Sequence, residues 1–154
     1  MTEIWAALQS SAVAEWARTA RWGYAALNGA HILGIALLVG AMVPLNLVRM
    51  GAVRAPAEAA GRLLVPFAGA GLLLAVGTGA VMFASRAGEY AALGVVQAKL
   101  TLVVAGAATA LLLHARYGLY MQRAGRGRTA VHAAISLVLW VVVLALGRLI
   151  AFVG

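Results

Sequence analysis

The sequence predicts an all-α membrane protein, an up-down bundle of four transmembrane helices preceded by an interfacial amphipathic helix. Hydrophobic residues account for 64% of the 154 residues and charged residues for 10%, whereas about a quarter of the residues in a soluble domain are charged. Four apolar runs each approach or exceed the roughly 20 residues that a helix needs to cross the hydrocarbon. The arginines cluster in the short segments between these runs, a pattern that sets orientation in a membrane protein.

The first 22 residues predict an amphipathic helix and not a signal peptide, since they lack a basic start and a small-residue cleavage site. Trp5, Leu8, Ala12 and Trp16 recur on one face at helical spacing. Together with Trp22, the tryptophans are suited to the headgroup level of a membrane. Two interpretations are open: an anchor in the membrane interface, or a lid over a site on that side.

The remainder, residues 23–154, is predicted to be one transmembrane domain. Polar or basic segments separate the predicted helices, which cover residues 24–48, 63–84, 95–120 and 130–152. Pro66 is expected in the first turn of the second helix, where proline is tolerated. The glycines of that helix allow close helix packing or leave room for a flat cofactor.

The basic residues predict which side of the membrane each loop faces. Seven Arg or Lys residues lie on the side where the first predicted helix ends, the arginine-rich side, and five lie where it begins, the terminal side. The positive-inside rule then places the arginine-rich side in the cytoplasm and both termini in the periplasm, in the inner membrane of a bacterium. The net charge of +8 is thus an orientation signal, and no nucleic-acid partner is expected.

Polar side chains inside the spans are costly and mark candidate sites. At 1.5 Å per residue, His31 lies about 10 Å and Thr78 about 9 Å from the terminal side, and Lys99 and Arg148 about 6 Å. Asn28 lies a turn above His31. This layer predicts a site for an anionic group, such as a porphyrin carboxylate or a quinone oxygen. The alternatives are snorkelling of the two cations and a structural hydrogen bond from His31 to a carbonyl or to Thr78.

His114 and His132 form a second layer, within about two turns of the arginine-rich side. Two imidazoles at one depth on antiparallel helices are suited to ligating haem iron from both faces, and Arg116 is available for a propionate. The alternative is a pair of interfacial histidines bonded to headgroups. His31 is expected nearly 20 Å away along the membrane normal, too far to share one iron.

Other chemistries have weaker support. The chain has no cysteine, which excludes disulfides and thiolate metal sites. It has no HExxH motif and no Gly-rich phosphate loop. Copper handling by His31 with Met42 or Met82 is an alternative, because thioethers bind Cu(I).

Three segments, residues 28–40, 77–83 and 97–114, resemble a superfamily of small four-helix bacterial membrane proteins. It includes the HemJ-type protoporphyrinogen oxidases and the CopD-type copper-resistance proteins, and the closest similarity is to an uncharacterised family within it. The shared features are a first-helix histidine with a glycine nine residues on, a Thr-Gly pair and a Lys-Leu pair: His31 and Gly40, Thr78-Gly79, and Lys99-Leu100. The resemblance implies association with haem b and functional roles for His31 and Lys99.

The leading hypothesis is a membrane protein that binds haem b or another tetrapyrrole, as an oxidoreductase that exchanges electrons with a quinone or oxidises a tetrapyrrole. The predicted catalytic residues are His31 and Lys99. The predicted cofactor-binding residues are Asn28, His31, Thr78, Lys99, Arg116 and Arg148. The candidate metal ligands are His114, His132 and His31. Copper or other metal handling, and a non-catalytic subunit of a membrane complex, are the alternatives. Small-residue faces predict a homo-oligomer or a subunit of a larger complex.

Overall fold

The computed structural model describes residues 2–153, and in this part of the chain the regular structure is entirely helical. The helices are, in order, α1 (Thr2–Gln9), α2 (Ala12–Thr19), α3 (Gly23–Arg49), α4 (Ala57–Ser85), α5 (Ala87–Ala92), α6 (Gly94–Tyr117) and α7 (Arg126–Val153). Four of the described helices, α3, α4, α6 and α7, are long and apolar enough to cross a membrane.

The four long helices match the predicted spans, with changes at their ends. α4 begins at Ala57, six residues earlier than predicted, so Pro66 lies well inside the helix and not in its first turn. α6 ends at Tyr117, three residues early, because Gly118 adopts a φ of +88° that terminates the helix. α7 begins at Arg126, four residues before its predicted start.

Two further differences lie on the terminal side. The N-terminal segment forms two short helices where one was predicted, because Ser11 caps the second and its Oγ accepts a hydrogen bond from the Ala14 amide at 3.4 Å. The segment between α4 and α6, predicted as a loop, contains the short helix α5.

The N-terminal helices pack against the ends of α3 and α4. Arg18 Nη1 donates to the carbonyl oxygens of Gln9 at 2.8 Å and Ser85 at 3.0 Å, which ties α1, α2 and α4 together. The ring of Trp5 meets that of Phe83 edge to face, 5.7 Å between centroids. Trp5 therefore packs on the helices, whereas Trp16 and Trp22 are exposed.

All four long helices contribute to one apolar core. Its buried centre is Leu38 and Met42 of α3 with Trp140 and Val143 of α7, and partly buried side chains of α4 and α6 pack around it. Many large apolar side chains face outward, among them Leu73, 77% exposed. Such a continuous apolar exterior is typical of helices surrounded by lipid.

Candidate functional site

The closest helix crossing, between α3 and α4, positions the first candidate site. A Cβ added to Gly34 would lie 2.6 Å from the backbone nitrogen of Ala75, and one added to Gly71 would collide with the backbone nitrogen of Leu38. The two backbones touch here because neither glycine carries a side chain. One turn nearer the terminal side, this contact brings His31 of α3 against α4.

At that position the His31 ring packs on α4. A Cβ on Gly79 would lie 3.0 Å from His31 Cε1, so the ring uses the space that this glycine leaves. His31 Nδ1 lies 3.1 Å from the hydroxyl oxygen of Thr78. That hydroxyl also lies 2.6 Å from the carbonyl oxygen of Leu74.

These two contacts determine the tautomer of a neutral His31. A threonine hydroxyl has one proton, and the short contact to the Leu74 carbonyl, which can only accept, uses it. The Thr78 oxygen must then accept from His31, so the imidazole proton is on Nδ1. In this tautomer the lone pair is on Nε2.

Lys99 joins this site from α6. Its side chain lies over Gly147 of α7, where an added Cβ would be 3.2 Å from the Lys99 ammonium nitrogen. The ammonium is close enough to the His31 ring to interact with it electrostatically. The predicted contact between His31 and Thr78 is therefore present in the structure, and Lys99 approaches the same layer from α6.

Two other residues of the predicted layer are not brought to this cluster. The Arg148 guanidinium is exposed and stacks on the ring of Phe152, 4.8 Å from its centroid, although the adjacent residue, Gly147, contacts Lys99. Asn28 is exposed on α3. The arrangement of Arg148 is that of a snorkelling side chain.

The two histidines of the second predicted layer line a partly open cavity near the arginine-rich side. This cavity of about 120 Å³ lies between the end of α3, the second half of α6 and the first half of α7. Its lining includes both predicted histidines and several other polar side chains: His114, His132, Asn46, Arg49, Thr109, Thr129 and Ser136. The Arg49 Nη2 and His114 Nδ1 atoms are buried and have no hydrogen-bond partner within residues 2–153.

The haem and copper hypotheses can be compared with this geometry. His114 and His132 line one cavity, but its 120 Å³ is below the roughly 300–1,000 Å³ of typical small-molecule sites. Arg116 is exposed and stacks on Tyr117, outside the cavity lining. Within residues 2–153 no three His, Cys, Asp or Glu side chains cluster as metal ligands. Ligation of haem by the two histidines stays a prediction.

Copper binding by His31 with Met42 is not favoured by position. The two residues are eleven apart on α3, about 16 Å along its axis. The Met42 sulfur is in the core, 2.7 Å from Asn46 Nδ2. Met82 is nearer to His31, because it lies one turn from Thr78 on α4 and Thr78 contacts His31.

Two residues of the cavity were not predicted as site residues. Asn46 is 2% exposed, and its Nδ2 donates to Ser136 Oγ of α7 at 3.3 Å. Arg49 is one turn further along α3. The signal was present in the sequence, since Met42, Asn46 and Arg49 recur at helical spacing and share a face.

No family model, curated protein or solved structure matches the chain.

Proposed function

We propose that this protein is a membrane redox protein that binds haem b or a related tetrapyrrole, whose iron would be held by His31 through Nε2. The proposal includes an up-down arrangement of the four spans in the inner membrane of a bacterium, with both termini and the α1–α2 pair on the periplasmic face. It rests on one observation, the Thr78 hydrogen bond that fixes the proton of His31 on Nδ1.

This observation favours a metal ligand over a histidine whose hydrogen bond serves only the fold. A histidine that binds a metal donates its other ring N–H to an oxygen acceptor, which sets the ring orientation and makes the ligating nitrogen more basic. Thr78 supplies that acceptor, and the Leu74 carbonyl holds the Thr78 hydroxyl in turn. Gly79 leaves space for the ring face. The residues therefore suit an iron ligand at Nε2.

Lys99 supports an anionic cofactor. The side chain of Lys99 is half-buried, and no Asp or Glu side chain forms an ion pair with it in residues 2–153. A carboxylate of a tetrapyrrole or the oxygen of a quinone would supply the missing charge partner. The Cα atoms of α4 and α6 remain more than 8 Å apart throughout the described residues, so these two helices do not cross closely as α3 and α4 do.

The bound group would supply one-electron chemistry, while this chain would hold and orient it. His31 Nε2 would ligate, Thr78 would keep the imidazole in its tautomer, and Lys99 would neutralise a carboxylate. Exposed glycines on α4, such as Gly69 and Gly77, where an added Cβ meets nothing within 4 Å, offer a flat face for a second copy or another membrane subunit.

The visible spectrum of the full-length protein, purified after expression with ample haem, tests the proposal. We expect a Soret band that His31→Ala abolishes and that His114→Ala and His132→Ala retain. A band lost only with the latter two variants would move the haem to the other cavity. A colourless wild-type protein would contradict the proposal, and bound copper in that sample would favour metal handling instead. Co-purification of another membrane subunit, without any cofactor, would favour the partner-subunit alternative.

A further inference from the structure

The cavity near the arginine-rich side contains an arginine without a counter-charge. Arg49, the last residue of α3, lines the cavity, and its buried Nη2 has no hydrogen-bond partner within residues 2–153. The side chain as a whole is only partly buried, but a cationic nitrogen removed from water is costly unless it is hydrogen-bonded. Arg49 therefore lacks a partner of negative charge.

The chain itself does not provide one. Its acidic side chains are four glutamates, and none lines the cavity. Glu58 pairs with Arg62 at 2.8 Å, and Glu89 with Arg86 at 3.6 Å, in both cases on the surface. Glu3 belongs to α1, which packs on α4 and α5, and Glu15 belongs to α2, which packs on α3 and α4, in both cases away from this cavity. The missing anion must come from outside this chain.

The other groups around Arg49 are suited to bind oxygen atoms. His114 Nδ1 is buried and unpartnered in the described part of the chain. Thr129, His132 and Ser136 follow one another at a spacing of three and four on α7, so one helix face lines the cavity with them. The Thr129 hydroxyl donates its proton to the Gly125 carbonyl at 3.1 Å, which leaves Ser136 and His132 as the donors of this face. The Ser136 hydroxyl is held by Asn46 at 3.3 Å.

We propose that this cavity binds a phosphate-type oxyanion, on the Arg49 guanidinium and the His114 imidazole with help from the Ser136 hydroxyl of α7. Donors from three helices, Arg49 of α3, His114 of α6 and Ser136 of α7, line the space. The 120 Å³ volume is several times the roughly 10–15 Å³ that one water needs, enough for a small anion. The cavity is near the ends of the membrane-spanning helices, where lipid phosphates lie.

The anion has two possible sources, free phosphate and a phospholipid headgroup, and one experiment distinguishes them. The full-length protein in a non-ionic detergent is first examined by native mass spectrometry for retained phospholipid. After delipidation it is titrated calorimetrically with inorganic phosphate, with chloride at equal ionic strength as the reference. Phospholipid retained at one per chain identifies the headgroup as the natural occupant. Saturable phosphate binding with no retained lipid identifies the free anion.

The variants test the residues. Arg49→Gln is expected to weaken phosphate binding about 10-fold or more, since a hydrogen bond to a charged group is lost, and to abolish lipid retention. Arg54→Gln is the matched control, because Arg54 is exposed on the same side, and it should bind like the wild type. His114→Phe, which keeps the ring shape, should weaken binding several-fold and serves if Arg49→Gln does not fold.

Three results would overturn the proposal. The first is a folded wild-type protein that binds neither phosphate nor phospholipid. The second is equal binding by Arg49→Gln and Arg54→Gln. The third is a Soret band that His114→Phe abolishes, because the cavity would then hold iron. The outcome is independent of the His31 proposal, since His31 and Arg49 are eighteen residues apart on α3, about 27 Å along the helix.

Discussion

The imidazole of His31 and the hydroxyl of Thr78 are joined by a hydrogen bond of 3.1 Å between α3 and α4. The bond occurs one turn from the point where the glycines of the two helices bring their backbones into contact. It has a chemical consequence beyond packing, because it leaves Nε2 of His31 as the nitrogen with a free lone pair. The candidate site therefore depends on a close helix crossing, which the glycines of α3 and α4 make possible.

Removing the Thr78 hydroxyl should weaken cofactor binding while the ligand, His31, stays in place. Thr78→Val keeps the side-chain shape but leaves His31 Nδ1–H without its acceptor, and loss of such a partner costs about 10- to 100-fold in metal affinity. Thr78→Ser retains the hydroxyl and should bind haem like the wild type. Haem titration followed at the Soret band measures both. Equal affinities for the Val and Ser variants would show that the hydrogen bond does not prepare His31 for ligation.

The helix crossing predicts a contrast between two glycines of α4. Gly71→Ala places a methyl group 2.7 Å from the carbonyl oxygen of Gly34, and such overpacking costs about 1–3 kcal/mol of stability. Gly69→Ala meets nothing within 4 Å and should change stability by less than about 0.5 kcal/mol. Thermal unfolding of the detergent-solubilised protein, followed by tryptophan fluorescence, compares them. Similar midpoints for the two variants would contradict the close crossing.

Lys99 and Arg148 should differ although both are cations near the same membrane depth. Lys99→Gln removes the half-buried charge near His31, and a lost hydrogen bond to a charged group of about 1.5–3 kcal/mol corresponds to about 10- to 100-fold weaker binding. Arg148→Gln removes an exposed charge that stacks on Phe152 and should have little effect. Tetrapyrrole affinity measured by fluorescence quenching distinguishes the two. A larger loss of tetrapyrrole affinity with Arg148→Gln than with Lys99→Gln would contradict this prediction, because the anion would then bind Arg148.

Arg18 should control how firmly the N-terminal helices are held. Arg18→Gln removes the bonds to the Gln9 and Ser85 carbonyls, worth about 1 kcal/mol, so amides of α1 and α2 should exchange hydrogen about 5-fold faster. Arg21→Gln is the control, since Arg21 stacks only on exposed Trp22 among its described contacts. Hydrogen–deuterium exchange with mass spectrometry reads out both variants. Unchanged exchange in Arg18→Gln would mean that apolar packing alone holds the pair.

The sequence predicted the long helices well because their physical cause is local. A bilayer requires about 20 apolar residues for each span, and four such runs are visible in the chain. The failures occur where neighbours decide the outcome. Ser11 breaks the N-terminal segment with a cap, and α5 forms where α1 packs against it.

The sequence predicted how deep the candidate site residues lie in the membrane, but not the direction in which each side chain points around its helix. Depth counting placed His31, Thr78, Lys99 and Arg148 in one layer, but successive residues on a helix point about 100° apart. Gly147 of α7 faces Lys99, so its neighbour Arg148 points away. The same limitation concealed Arg49, whose position at a helix end suggested an orientation signal, although its guanidinium reaches the cavity.

The most direct test of the central claim, ligation through His31, is chemical rescue of a His31→Gly variant. The variant removes the imidazole and leaves space beside Gly79 and Thr78 for a free one. We expect His31→Gly to lose the Soret band of the haem-loaded wild type and to regain it when imidazole is added. A wild-type spectrum in His31→Gly without imidazole would contradict the assignment, because another group would then be the ligand.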